Sequence, residues 1–254
     1  MERHIITAGY GRAGTTLFYN MLRHTLKGGF ELPEKEVPAM QWIDKPGNFC
    51  TKRPFDIFEI PNILQKNAGR KRVDLIISLR DPRDMLVSFH KSVPDDYFVS
   101  ADYCYFSPKG RTPTKTAPGI IPTQDAIAKI ATSGLFPNGV FLLKYEDLVA
   151  NPENIKEKLS AGLDLEFEGN FSDFHTQAIP EDLSRALNGV RPVQKEEIPK
   201  WKKPEHRERI IEQFTSFPEL HDILIALNYE KDESWFEEFK AREVQQEQPE
   251  ARSS

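Results

Sequence analysis

The sequence predicts a three-layer α/β/α fold built on a central parallel sheet. Short apolar runs around Ile5-Ile6, at VDLIISL and at GVFLLK alternate with segments whose apolar residues recur at helical spacing. Residues suited to anion binding fall where those runs end, which is where ligands sit in parallel α/β sheets. The expected unit is one domain over residues 1–242, with a substrate-side loop at 93–122, a C-terminal helical part at 171–242 and a disordered polar tail at 243–254.

The first element is a strand ending in Ile5 and Ile6. Gly9, Gly11 and Gly14 then permit a tight turn, and Thr15 and Thr16 open a helix carrying Leu17, Phe18, Met21 and Leu22. Strand, glycine loop and helix in that order aim backbone N–H groups and a helix dipole at one point, a ready site for phosphate. The spacing from Gly9 to Gly14 is nearly that of a Walker A loop, but Thr15 stands where its Lys belongs. The nearest cation is Arg12, inside the loop. A basic residue there suits a 5′-phosphate better than a β/γ-phosphate with Mg²⁺.

Lys27 to Gly47 is broken by Gly28, Gly29, Pro33 and Pro38 and reads as an irregular excursion. NFCTKRP is a short strand ending in Lys52, Arg53 and Pro54. The next segment is helical, limited by Pro61. VDLIISLR suits a central strand. DPRDMLVSFHKS reads as a helix capped by Asp81, with Pro82 in its first turn, Met85, Leu86 and Phe89 facing inward, and Ser88 two turns along. Residues 93–122 show no periodicity. TQDAIAKIATSG is a helix. GVFLLKYEDL is a strand running out through Tyr145, Glu146 and Asp147, after which Asn151 caps a helix with Pro152 at its first position. Beyond Phe171 the chain is helix or loop.

Composition sets outer bounds. The 254 residues suffice to bury a core without disulfides or metals. A net charge of −5 gives no reason to expect nucleic-acid binding. Cys50 and Cys104 have no metal-ligand spacing and are too few for a disulfide scaffold, which points to a reducing compartment. No apolar stretch reaches transmembrane length, and the chain enters its first strand almost at once; a cytoplasmic location is expected.

GYGRAGTT resembles the 5′-phosphosulfate loop of sulfotransferases that use 3′-phosphoadenosine-5′-phosphosulfate (PAPS), a basic residue and a small residue followed by Gly-Thr-Thr. LIISLRDPRDMLVSFHKS is similar to that family's 3′-phosphate motif, with Arg80 and Ser88 as its Arg and Ser. LLKYEDLVANPE resembles a third family stretch, in which the Tyr, here Tyr145, lies near the adenine. A looser likeness puts Arg191, Lys195, Trp201 and Lys202 in the late segment that covers the nucleotide, without its usual glycines.

The resemblance, to bacterial or carbohydrate-type members rather than the cytosolic small-molecule type, implies a P-loop NTPase-like fold. It implies in-line transfer of a sulfuryl group from PAPS to a hydroxyl acceptor, leaving 3′-phosphoadenosine-5′-phosphate (PAP), with no metal. Gly11, Arg12, Ala13, Gly14, Thr15 and Thr16 would hold the 5′-phosphate. Lys52 would neutralise the leaving oxygen, with Arg53 as the competing candidate. The small-molecule enzymes place a catalytic His after that Lys, but this chain reads Lys52-Arg53-Pro54. Carbohydrate sulfotransferases place a Glu after the first helix instead. Glu34 is best placed, with Glu31 and Glu36 close behind; His24 and His90 fall on predicted helices. The acidic excursion favours a carbohydrate or glycolipid acceptor. The rivals are a P-loop kinase, disfavoured by Thr15 and by the poor placement of Asp74 and Asp147 for Mg²⁺, and a catalytically inactive nucleotide-binding protein.

Overall fold

Stretches rich in Ile, Val and Leu become buried parallel strands, because a sheet covered on both faces favours β-branched residues throughout. A computed structural model describes residues 1–89, 96–107, 112, 114–137, 139–187 and 199–241. Its strands are β1 (Arg3–Gly9), β2 (Phe30–Glu31), β3 (Asn48–Lys52), β4 (Arg72–Leu79), β5 (Asp96–Val99), β6 (Tyr103–Ser107), β7 (Thr114–Pro118) and β8 (Phe141–Lys144). Five form one sheet in the order β2-β3-β1-β4-β8, every neighbouring pair parallel. The chain leaves β1 toward β3 on one side and β4 on the other. The crevice beyond the carboxyl ends of these three strands is therefore the place for a ligand.

The helices are α1 (Thr15–Thr25), α2 (Ile60–Asn67), α3 (Pro82–Leu86), α4 (Ile120–Thr132), α5 (Tyr145–Ala150), α6 (Pro152–Leu163), α7 (Glu181–Ala186), α8 (Arg207–Ser216), α9 (Glu219–Ala226) and α10 (Ser234–Ala241). Alternation along the strands divides them between two cores. Ile5, Ile76 and Leu143 pack with Phe18 and Leu22 of α1, Leu159 of α6 and Phe171. Ile6, Leu75 and Ile77 pack on the opposite face with residues of α2, α4, α8, α9 and α10. These are the three layers expected, with the last helices completing the second outer layer.

The amino-terminal end of the sheet is closed by charge. Arg3 and Arg72 both donate to Asp74, at 2.7 and 3.0 Å, and both reach the carbonyl of Leu163 at the end of α6. Arg3 also donates to the carbonyl of Asp164 at 2.8 Å. Cations at a helix carboxyl end meet unpaired carbonyls and a favourable dipole. Asp74 is committed to this network, at the end of the sheet away from the glycine loop.

Several expectations change. The helix opened by Asp81 stops at Leu86, so Ser88 follows it in irregular chain and Phe89 is exposed, not inward-facing. Residues 93–122 contain an antiparallel sheet, β5-β6-β7, where no elements were expected. Its signal is weak in sequence because β7 is mostly exposed and carries Lys and Thr, with little apolar alternation. Tyr145 opens α5 instead of ending a strand. Pro61 sits in the first turn of α2, preceded by a 3-10 turn at Pro54–Phe58. The tail at 243–254 and His90 lie outside the described residues. No described helix is long and apolar enough to cross a membrane.

Candidate active site

The glycine loop leaves β1 at Gly9, whose φ of 114° is open to glycine. A Cβ there would stand 2.6 Å from the Ser78 carbonyl, the acceptor of a 3.0 Å bond from the Tyr10 N–H. The loop is thereby held against β4. Gly14, in the left-handed region at φ 72°, precedes α1, and no side chain caps that helix. Its first turn also lacks acidic residues, so the amides from Thr15 onward present a positive dipole with no carboxylate of the helix's own beside them.

Gly14 carries a second constraint, since a Cβ would lie 2.3 Å from Cδ2 of Tyr145. Positive φ and a clash with a ring together predict that Gly14→Ala lowers unfolding free energy by about 3 kcal/mol. Denaturant titration reads this, and an unchanged midpoint would refute so close an approach.

Arg80 leaves the carboxyl end of β4 and is buried. Its Nη1 donates to the Arg12 carbonyl at 2.9 Å, its guanidinium lies 4.3 Å from the centre of the Tyr145 ring, and its buried Nε has no acceptor among the described residues. Arg12, itself at φ 63°, donates from Nε to the Ser88 hydroxyl at 3.2 Å. The stretches around Gly9 and Arg80 thus form one continuous surface, although the short α3 brings Ser88 there by a different route from the expected helix. Burial lowers the Arg12 guanidinium from its ordinary value, Arg80 adds repulsion, and Tyr97 and Cys104 of the smaller sheet oppose the shift. A bound phosphate would offset desolvation and repulsion together and give Arg80 Nε its missing acceptor. The residues present therefore fit a phosphate group.

Lys52 ends β3 beside β1, in register with Thr7, and is buried. Its Nζ donates to the Thr16 hydroxyl at 3.0 Å and to Glu36 at 2.6 Å. Arg53 instead pairs with Asp56 at 3.3 Å. Asp56 also accepts the Ala39 N–H at 2.8 Å, and burial pushes its carboxyl up to about 6. On the other side of Glu36, the Tyr19 hydroxyl donates to the Pro33 carbonyl at 2.9 Å and Arg23 donates to the Leu32 carbonyl. The excursion is fastened at both ends, and between the fastenings Glu36 meets Lys52. Glu31, Glu34 and Glu36 are all exposed, and it is the contact with Lys52 that sets Glu36 apart. Three acids within six residues gave no periodic signal to choose among them.

Trp201 does not lie open above a nucleotide. It is buried, packing against Trp235 and Phe239 at 5.7 and 5.2 Å and stacking on Arg83 at 4.0 Å. Lys202 is exposed, 5.2 Å from the Trp201 ring. Arg191 and Lys195 lie outside the described residues. Tyr97 and Cys104, which no motif singled out, are the unanticipated neighbours of Arg12.

No family model matches the chain, and no characterised protein matches it at the level of sequence. Solved structures do. A sulfotransferase domain from the curacin biosynthetic pathway aligns at 16% identity and TM-score 0.50, covering 84% of this chain and 97% of its own. Mouse sulfotransferase SULT7A1, complexed with PAP, aligns at 14% identity and TM-score 0.54, covering 90% and 88%. The sulfotransferase domain of the Synechococcus PCC 7002 olefin synthase aligns at 13% identity and TM-score 0.50, covering 86% and 94%. With its five-stranded parallel sheet between helical layers, the chain has the sulfotransferase fold.

Proposed function

We propose that the protein is a PAPS-dependent sulfotransferase acting on a hydroxyl acceptor. The observation that carries this reading is the link from Arg80 to the Arg12 carbonyl and from Arg12 to Ser88, which brings two anion sites onto one surface beside Lys52 and Thr16. That one solved neighbour is complexed with PAP supports it. The loop amides, Thr15 and Thr16 hold the 5′-phosphate; Arg80 and Ser88 take the 3′-phosphate, and Tyr145, against Arg80, borders the base. Arg12 lies between the two cradles and serves the charge of both. Bound PAPS supplies the sulfuryl group and a bridging oxygen that gains charge as transfer proceeds. Lys52 stabilises that charge, and Glu36 replaces Glu34 as the base that accepts the acceptor's hydroxyl proton. Because the two side chains are in contact, Glu36 would take the proton from the attacking oxygen on one side of the sulfur while Lys52 meets the leaving oxygen on the other. The exposed acids of the excursion and the Tyr97 ring suit a carbohydrate or glycolipid hydroxyl.

A Mg²⁺-dependent kinase would want carboxylates at the strand ends flanking the loop, where this chain has Lys52 and Arg80. Titration calorimetry with PAP, and separately with ATP and Mg²⁺, tests the choice. PAP is expected to bind without metal, and Arg80→Ala to weaken it about 30-fold, the scale of lost charge-assisted hydrogen bonds. Preference for ATP with Mg²⁺, or indifference to Arg80→Ala, would overturn the proposal. Turnover on a panel of alcohols and sugars then separates an active enzyme from an inactive binder.

A further inference from the structure

The turn after α9 grips the corner that carries Arg80, by two independent routes. Tyr229 donates from its hydroxyl to Glu146 at 2.8 Å, and the other Glu146 oxygen accepts the Asp81 N–H at 3.0 Å. Its neighbour Glu230 pairs with Arg83, whose guanidinium also holds the Asp81 carboxylate through bonds of 2.8 and 3.0 Å. Asp81 accepts the Arg83 N–H at 2.9 Å as well, capping α3. Arg83 is buried between Trp201 at 4.0 Å and Trp235 at 4.6 Å, so its charge has little water and depends on these carboxylates. Two adjacent residues, remote in sequence, thus converge on Asp81, the residue next to Arg80.

We propose that Tyr229 and Glu230 are positioning residues that fix the Arg80–Asp81 corner and so set affinity for the nucleotide's 3′-phosphate. This rests on Arg80 binding that phosphate, as argued above. Neither side chain touches the pocket; they act through Glu146 and Arg83. The corner needs such a hold because α3 is a single short turn and cannot fix it unaided. Bidentate recognition of phosphate also tolerates little displacement of the guanidinium.

The test uses the full chain with Tyr229→Phe and Glu230→Gln, two conservative changes at part-exposed positions. Calorimetry measures PAP, and displacement of PAP measures adenosine 5′-monophosphate, which lacks the 3′-phosphate. Each variant is expected to lose PAP affinity about tenfold while its affinity for the monophosphate stays as in wild type. Added to Arg80→Ala, each should cost little more, because the group being positioned is gone. Equal losses for both nucleotides would mark general loosening and overturn the proposal, as would unchanged PAP affinity. Wild-type protein that fails to prefer PAP over the monophosphate would instead remove the 3′-phosphate assignment, and this inference with it.

Discussion

Glu36→Gln is expected to lower kcat by about 10²- to 10⁴-fold, the range for loss of a general base, with little change in PAP affinity. Glu34→Gln should keep near-wild-type turnover. The reason is mechanical as much as chemical. Pro33 is held by Tyr19, and Ala39 by Asp56, so the few residues between can present one carboxylate to Lys52. Gln preserves the size and one hydrogen bond to Lys52 but does not take up the proton. A collapse of turnover in Glu34→Gln, with Glu36→Gln active, would reassign the base.

Lys52→Met is expected to lower kcat by about 10²- to 10³-fold, the cost of removing one group aimed at developing charge. Met keeps the length of the buried stem, so packing at the end of β3 is largely maintained. Arg at this position is not expected to restore activity, since a planar fork does not fit the slot between Thr16 and Glu36 that a compact ammonium occupies. Single-turnover measurement with saturating PAPS separates this effect from binding. Turnover persisting in Lys52→Met but lost in Arg53→Met would transfer the role to Arg53, against its present engagement with Asp56.

The scaffold was readable because its signals are local. Short apolar runs rich in Ile, Leu and Val made β1 and β4, and glycines followed by paired threonines made the loop and the start of α1. Lys52 and Arg80 stand at strand ends as the sequence placed them, and their roles there are part of the proposal. What escaped depends on distant partners. Trp201 reads as part of the late covering segment until Arg83, Trp235 and Phe239 enclose it. The proposed preference for Glu36 over Glu34 rests on its contact with Lys52, which no local pattern announces. The helix expected through Ser88 stops at Leu86, and the β5-β6-β7 sheet lacks the alternation that would announce it. In each case a tertiary contact decides what propensity leaves open.

The Arg3–Asp74–Arg72 network has a consequence for how substitutions will sort. It fastens the strands at the pole remote from the crevice, using carboxylate and carbonyl partners that already satisfy it. The other pole holds Arg12 and Arg80 close together, with Arg80 Nε lacking an acceptor among the described residues. Damage to the Arg3–Asp74–Arg72 end should therefore be felt as poor yield of folded protein, whereas at the crevice end exchange of the exposed charged side chains, unlike Gly14→Ala, should alter ligand binding more than stability.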